Sequence, residues 1–528
     1  MSFRVPINLL SEQHKTQIGK DLVLKEKTNV FQYGGWQKKQ EKPQQKEIRF
    51  FYLDEATNEL CLPLFYSSCL FNKPFINLRR AFPQVRPFEI NFALRDYQDE
   101  VVGTCLQNFC QRGTTFLNVF CAFGKTVVGA YLSATIAKQY GLATLVTYPR
   151  TLIGESWVGT FREKTNAKVY VIGESSYPPD PDTQIYLCMD TRLDSLDPWY
   201  RARIGHFIVD EAHMFCTSGH VRGLLSIEPI FMTILTATYE RDDGFEKMID
   251  LMAGPDRIIR ISKKPFFVFQ RPTMFTAEPK VGPRGILFDD LLQKLAQIEA
   301  RNLMILSMVL DNMDQKPLIL TRHVDHANNL TTWLNNYLGP YGKTATKLAG
   351  GGKKFNDADV IVATISKAGV GFDEENAFSD WGGVRVNLLI LTASTKKIEQ
   401  IAGRIFRSSD PVIFDIVDDF KNCKDHWSIR RKWYEARNGQ IYMLPGHERF
   451  SWSQHREALK KGIIAQTPVR EEPRPSDITV AHAAGIVARM YGKKEDSHAA
   501  GIVARVNDTA NVTTSHAAGI VARMYGKQ

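Results

Sequence analysis

A chain of 528 residues with 44% hydrophobic and 23% charged residues is long enough for two or three separate cores and too apolar to be disordered throughout. Its 67 basic against 57 acidic residues (+10) suit a polyanionic partner, and 8 cysteines without a CxxC pair argue against a zinc module or disulfide scaffold and for a reducing compartment. No apolar run reaches about 18 residues, and MSFRVPINLLSEQHK holds too short an apolar stretch for a secretion signal, so a soluble intracellular protein with no membrane partner is expected.

In chain order, QKKQEKPQQKE (Gln37 to Glu47) reads as an exposed loop. EIRFFYL and ELCLPLFY flank the turn-like DEATN as a β-hairpin, giving a small β-rich module over residues 1–87. From Phe88 the pattern becomes short apolar strands alternating with helices, as in a mostly parallel sheet. TTFLNVF is a predicted strand, CAFGKT a loop, and VVGAYLSATIAKQY a helix closed by Gly141. ATLVTYP, KVYVIG, QIYLCM, HFIVDEA and MTILTAT are further strands. A long helical pattern over 286–313 leads to PLILT, DVIVAT, VNLLILT and PVIFDIV, alternating with helices that include KKIEQIAGRIFR. The expected fold class is therefore α/β, with two parallel-sheet domains in tandem over 88–270 and 271–440. In the tail, 441–528, HAAGIVAR occurs three times, from His482, His498 and His516. The copies are too short for a solenoid, so a largely disordered tail is expected, either a duplicated spacer or a basic tether to nucleic acid or a partner.

A strand, the loop CAFGKT and a helix form a cradle for a nucleoside triphosphate. Cys121, Ala122 and Phe123 supply loop backbone, Gly124 allows close approach, Lys125 meets the β- and γ-phosphates, and Thr126 ligates Mg²⁺. Asp210-Glu211-Ala212-His213 follows the strand HFIV, at the sheet end where ligands bind. Asp210 is read as holding Mg²⁺ through water, Glu211 as activating the attacking water, and His213 as relaying nucleotide state. Thr236 and Thr238 end the next strand, placed to link the acid pair to the second domain. Gln400, Arg404 and Arg407 are spaced to share a helix face, with Gly403 keeping a side chain out of the cleft. Such arginines neutralise the charge of phosphoryl transfer. ADVIVATISKAGVGFD adds Thr364, read as touching a nucleic-acid phosphate, then Gly369, Gly371 and Asp373; the last contacts the ribose or positions the arginines.

With these residues in this order, 94–419 resembles superfamily 2 helicases of the DEAH type. LRDYQDE (Leu94 to Glu100) is similar to the adenine-side motif, which implies that Tyr97 and Gln98 read the base. VTYPRTL (Val146 to Leu152) is similar to the first nucleic-acid motif, which implies that Arg150 lies near a phosphate. Among such helicases the likeness is greatest to transcription-related enzymes of large cytoplasmic DNA viruses, of the poxvirus transcript-release type. The resemblance implies two RecA-like domains behind a small N-terminal module, ATP and Mg²⁺ as cofactors, and 3′ to 5′ movement on DNA in company with the transcription machinery. A viral protein of this type would work in the host cytoplasm or virion. Val119 and Ala122 stand where such loops carry glycine, and Tyr239 where proline follows the threonines. DNA is favoured over RNA, and RNA stays open because no motif encodes sugar readout. The alternatives are a nucleic-acid-associated scaffold with a degenerate motor, and a duplex translocase that does not separate strands.

Overall fold

The computed structural model describes residues 2–27, 46–72, 81–174, 178–262, 264–283, 285–349, 355–368, 374–444 and 449–462. The three tail repeats, most of the 37–47 loop, and Gly369, Gly371 and Asp373 lie outside these residues. The chain divides into two units, 1–453 and 454–528. The architecture below is that of the first.

Two seven-stranded sheets, parallel at every pairing, form its body. The first runs Ile258–Arg260, Thr114–Val119, Phe231–Thr236, Ile204–Asp210, Ala143–Tyr148, Ile185–Met189, Val169–Val171. The second runs Ala345–Leu348, Val360–Thr364, Pro317–Thr321, Leu388–Leu391, Val412–Val417, Phe266–Pro272, Gly439–Met443. Their inner strands are apolar because helices cover both faces: every residue of Ile204–Asp210, Phe231–Thr236 and Val412–Val417 is buried. Thr114–Val119 and Ile204–Asp210 flank Phe231–Thr236, so the loops leaving the three strands emerge together at their carboxyl ends. The helix Lys125–Tyr140 lays Val128, Gly129, Leu132, Ser133 and Ile136 inward and stops at Gly141, whose φ of 64° suits a glycine.

The N-terminal residues form more than a hairpin. Ser2–Pro6 joins Glu59–Pro63 and Tyr52–Asp54 in an antiparallel sheet, and Val23–Lys25 pairs with Glu47–Arg49. The module is docked on the first sheet's domain: Ser2 N donates to Ile227 O at 3.2 Å, and Arg4 ion-pairs with Asp54 at 2.6 Å and Glu228 at 2.7 Å.

Three expectations are corrected. The strands Phe266–Pro272 and Gly439–Met443 belong to the second sheet, so that sheet begins ahead of residue 271 and runs past 440. The 286–313 pattern folds as two helices, Phe288–Gln297 and Glu299–Leu310, broken at Ile298, where the Asn302 amide caps Ala296 O at 2.9 Å. KKIEQIAGRIFR is not one continuous helix: it forms Glu399–Ala402 and then a 3₁₀ turn, Ile405–Arg407, so the three polar residues do not share an uninterrupted helical face. No helix among the described residues is long and apolar enough to cross a membrane.

Each sheet domain buries a neutral histidine. His206 bridges Thr144 Oγ1 (3.0 Å) and Thr233 Oγ1 (2.9 Å) across three strands, and His326 Nε2 lies 2.9 Å from Asn302 Oδ1. Burial holds both down to about 3, helped at His326 by the Arg301 charge. The unfolded chain takes up these protons near pH 6.5 and the folded one does not, so stability is full above about pH 6.5 and falls as pH drops towards 3. At pH 5 each histidine is expected to remove about 2 kcal/mol. Urea unfolding at pH 7 and pH 5 checks this; His206→Gln and His326→Gln should flatten the difference, and an unchanged slope in the double variant refutes it.

Candidate active site

The phosphate-loop candidate leaves strand Thr114–Val119 and turns through two left-handed residues, Ala122 (φ 72°) and Gly124 (φ 95°), before Lys125 opens its helix. Alanine at such a φ costs on the order of 1–2 kcal/mol, so the turn keeps a glycine's shape without the glycine. Gln98 braces the loop. Its Nε2 donates to Phe123 O at 2.8 Å while its Oε1 accepts from Arg95 N at 3.0 Å, and a Cβ on Gly124 would lie 2.4 Å from that Nε2. The Gln98 amide is thus committed to backbone here, whereas Tyr97 is 39% exposed, with its ring 5.2 Å from that of Phe123.

Lys125 Nζ lies 3.4 Å from Glu211 Oε1. Asp210 ends its strand nearly enclosed: Oδ1 accepts from Glu211 N at 2.9 Å and Oδ2 from Trp157 Nε1 at 2.9 Å. Glu211 sits at φ 51°, a second strained non-glycine residue beside the loop. Burial pushes the Asp210 carboxyl up, and the neighbouring Glu211 charge adds to it. Burial also acts on Glu211, but Lys125, His213 and Arg404 outweigh it and hold that carboxyl low. Burial opposes the charge on Lys125, yet Glu211, Cys121 and Asp210 raise it to about 12. The pair therefore carries its negative charge chiefly on Glu211. Glu211 Oε2 is buried and accepts no hydrogen bond among the described residues.

His213 Nδ1 meets Thr236 Oγ1 at 2.9 Å and lies 3.5 Å from Glu211 Oε2. Thr236 Oγ1 donates to Thr238 O at 2.6 Å, continuing the chain of contacts. Arg241 donates to His213 O and ion-pairs with Asp243, which the sequence reading did not single out. Tyr239, in the proline position, is fixed by its hydroxyl on Asp250 Oδ2 (2.5 Å) and by Arg257 stacked 3.7 Å from its ring.

The second sheet's domain reaches this centre through Gly403. A Cβ there would lie 2.2 Å from Cys121 Cβ, so the arginine segment rests on the phosphate loop and only glycine fits. The Arg404 charge acts on both Glu211 and Cys121, and its Nε donates to Ala368 O at 3.1 Å. Arg407 is held differently, with Nη1 3.6 Å from the buried Glu374 carboxylate. Lys264, between the sheets in sequence, caps this segment by donating to Phe406 O (3.2 Å) and Ser408 O. Gln400 lies in helix Glu399–Ala402, and its side chain is outside the described set. Thr364 is buried at its strand end, 3.2 Å from Ser366 Oγ, and Arg150 is exposed at the N-cap of helix Thr151–Lys164. A cavity of about 1170 Å³ adjoins the centre, with His213, Thr238 and Arg241 on one wall and Ser366, Lys397 and Glu399 on the other.

Lysine, paired acids and arginine thus converge where a loop presents backbone N–H groups at a helix start, which fits a triphosphate. Among the described residues no group of three or more His, Cys, Asp or Glu could hold a metal ion. A cation at Thr126 and Asp210 would complete its shell with water and substrate oxygens, as Mg²⁺ does.

Residues 91–241 match the family described as Type III restriction enzyme, res subunit. The chain is 26% identical over 393 residues to the inferred helicase 161L of Invertebrate iridescent virus 6, covering 69% of this chain and 86% of that protein. An inferred helicase of Frog virus 3 (isolate Goorha) is 25% identical over 353 residues, covering 65% and 78%. An inferred ATP-dependent RNA helicase of Acanthamoeba polyphaga mimivirus is 22% identical over 450 residues, covering 80% and 84%.

Proposed function

We propose that the chain is a DEAH-type ATPase that moves along nucleic acid, DNA in preference to RNA. The match of residues 91–241 to the family described as Type III restriction enzyme, res subunit, and the likeness to viral helicases support this reading. The observation that carries this reading is the seating of Gly403 on Cys121, with the Arg404 charge reaching Glu211. Both halves of a phosphoryl-transfer centre then lie in one cleft. In this reading Lys125 and the loop from Cys121 to Gly124 bind the phosphates, and Tyr97 packs beside the base. Gln98 acts on the base side by bracing the loop. Thr126 and Asp210 would hold Mg²⁺, which when bound neutralises phosphate charge.

Glu211 is the general base. Its buried Oε2 accepts no hydrogen bond among the described residues and faces His213 Nδ1 at 3.5 Å. The neighbouring cations that hold the carboxyl low keep it ionised, able to take the proton of the attacking water. Arg404 and Arg407 neutralise the charge that develops on the transferred group. The chain from His213 through the buried Thr236 to Thr238 has its two ends, His213 and Thr238, in the lining of the cavity that adjoins both domains, and so relays hydrolysis to their relative movement. Gln400, Gly371 and Asp373 keep their expected roles at the nucleotide, and Arg150 and Thr364 at the strand's phosphates. The viral relatives support a viral setting, and work beside the transcription machinery is part of the proposal. The restriction-enzyme family supports a second reading, duplex translocation without unwinding, which a triplex-displacement assay run beside strand displacement separates.

ATPase rates with single-stranded DNA, duplex DNA and RNA, compared side by side, test the proposal. Stimulation by a polynucleotide is expected, largest with DNA; no ATPase under any condition overturns it. Lys125→Ala removes the cation of the cradle, and its turnover is expected to fall to background. Normal turnover in that variant would refute the assignment of the loop.

A further inference from the structure

We propose that Trp157 is a positioning residue for the metal-holding carboxylate, setting Asp210 so that it receives Mg²⁺ together with the nucleotide. This rests on the nucleotide-binding reading above. Trp157 lies on helix Thr151–Lys164, is fully buried, and donates from Nε1 to Asp210 Oδ2 at 2.9 Å. The other carboxylate oxygen is held by the Glu211 amide at 2.9 Å. Each oxygen therefore spends one lone pair on the protein and keeps another for a cation or its water. A carboxylate held at both oxygens cannot rotate away from the phosphate loop.

The slot around the indole is made to fit. A Cβ on Gly129, one turn into the phosphate-loop helix, would lie 2.4 Å from Trp157 Cη2, and the Phe161 ring stacks at 5.8 Å and 28°. Gly129 is needed for space, since its helix has no other call for glycine. The phosphate-loop helix, the acid-pair strand and the Trp157 helix thus meet at one ring. A buried indole N–H needs some acceptor, and a backbone carbonyl would satisfy it. Here it is spent on the buried carboxylate that stands beside the loop. Partners that orient a metal ligand in this way change metal affinity by about 10- to 100-fold when removed.

The test is binding of a fluorescent ATP analogue to the full chain, in EDTA and across a Mg²⁺ titration. For Trp157→Phe, affinity in EDTA should stay within about twofold of wild type while the Mg²⁺ concentration at half-effect rises about 10- to 100-fold. Because phenylalanine leaves a gap, a second variant carries benzothienylalanine at 157, an isostere of tryptophan without the N–H. The same Mg²⁺ shift at a wild-type melting temperature supports the proposal. Wild-type Mg²⁺ dependence in the isostere overturns it, and so does an equal loss of affinity with and without Mg²⁺. If the wild type binds no nucleotide, or binds it indifferently to Mg²⁺, the nucleotide reading itself fails and this inference falls with it.

Discussion

Arg404→Ala and Arg407→Ala are each expected to bind ATP nearly as tightly as wild type and to turn it over about 10³-fold more slowly or worse. The magnitude follows from where the charge is needed. In the ground state Lys125 already lies 3.4 Å from the acid pair and heads the phosphate cradle, so nucleotide binding does not require a second cation. As the transferred group loosens, its equatorial oxygens gain charge, and guanidinium groups placed there by domain closure stabilise only that state. The two arginines start from different positions. Arg404 already acts on Glu211, whereas Arg407 sits 3.6 Å from Glu374. Moving Arg407 costs little, because Glu374 keeps Arg385 at 3.0 Å and the Val386 amide at 3.0 Å. The double variant should be little worse than either single one, since both serve one transition state. Parallel nucleotide titration and steady-state ATPase measurement decide the matter. A fall in affinity as large as the fall in turnover, or turnover left intact, removes the arginines from catalysis.

The placing of Lys125, Asp210 and Glu211 was legible because each ends or follows an apolar strand, and a parallel sheet gathers its strand ends on one edge. Most inner strands, such as PLILT and PVIFDIV, were legible for the same reason: burial on both faces leaves a nearly continuous apolar run, which in PVIFDIV is interrupted by the paired Asp415. Phe266–Pro272 was missed because Gln270 and Arg271 interrupt its apolar run, although Arg271 is buried. The broken helix at Gly403 was not legible either. IEQIAGRIFR has helical spacing, and only the approach of Cys121 from the other domain explains why a glycine stands there. Trp157 reads as an ordinary core residue, since nothing local says that its N–H ends on Asp210. The residues missed are those whose partners lie far off in sequence.

Asp415→Asn is expected to destabilise the second sheet's domain by about 3–5 kcal/mol, enough to unfold much of the population near body temperature. Helix Lys421–Ala436 reads as a charged surface helix, yet Arg430 is 1% exposed and grips Asp415 through two hydrogen bonds of 2.8 and 2.6 Å. Tyr434 donates to the same carboxylate at 2.8 Å. Neutralising Asp415 leaves a buried guanidinium without its counter-charge, which is the costly way to break such a pair. Replacing both partners by apolar residues, Asp415→Leu with Arg430→Met, should recover most of that loss, because no buried charge remains. Activity should not recover with it. Arg430 Nη1 also donates to Thr395 O at 2.5 Å, and Arg301, paired with Asp418, donates to Thr392 O at 2.5 Å. These two contacts hold the loop that delivers Lys396, Lys397 and then Arg404 to the cleft. Urea unfolding and ATPase assays on the single and double variants separate the two roles. A double variant that regains both stability and turnover would show that the buried pair serves the fold alone.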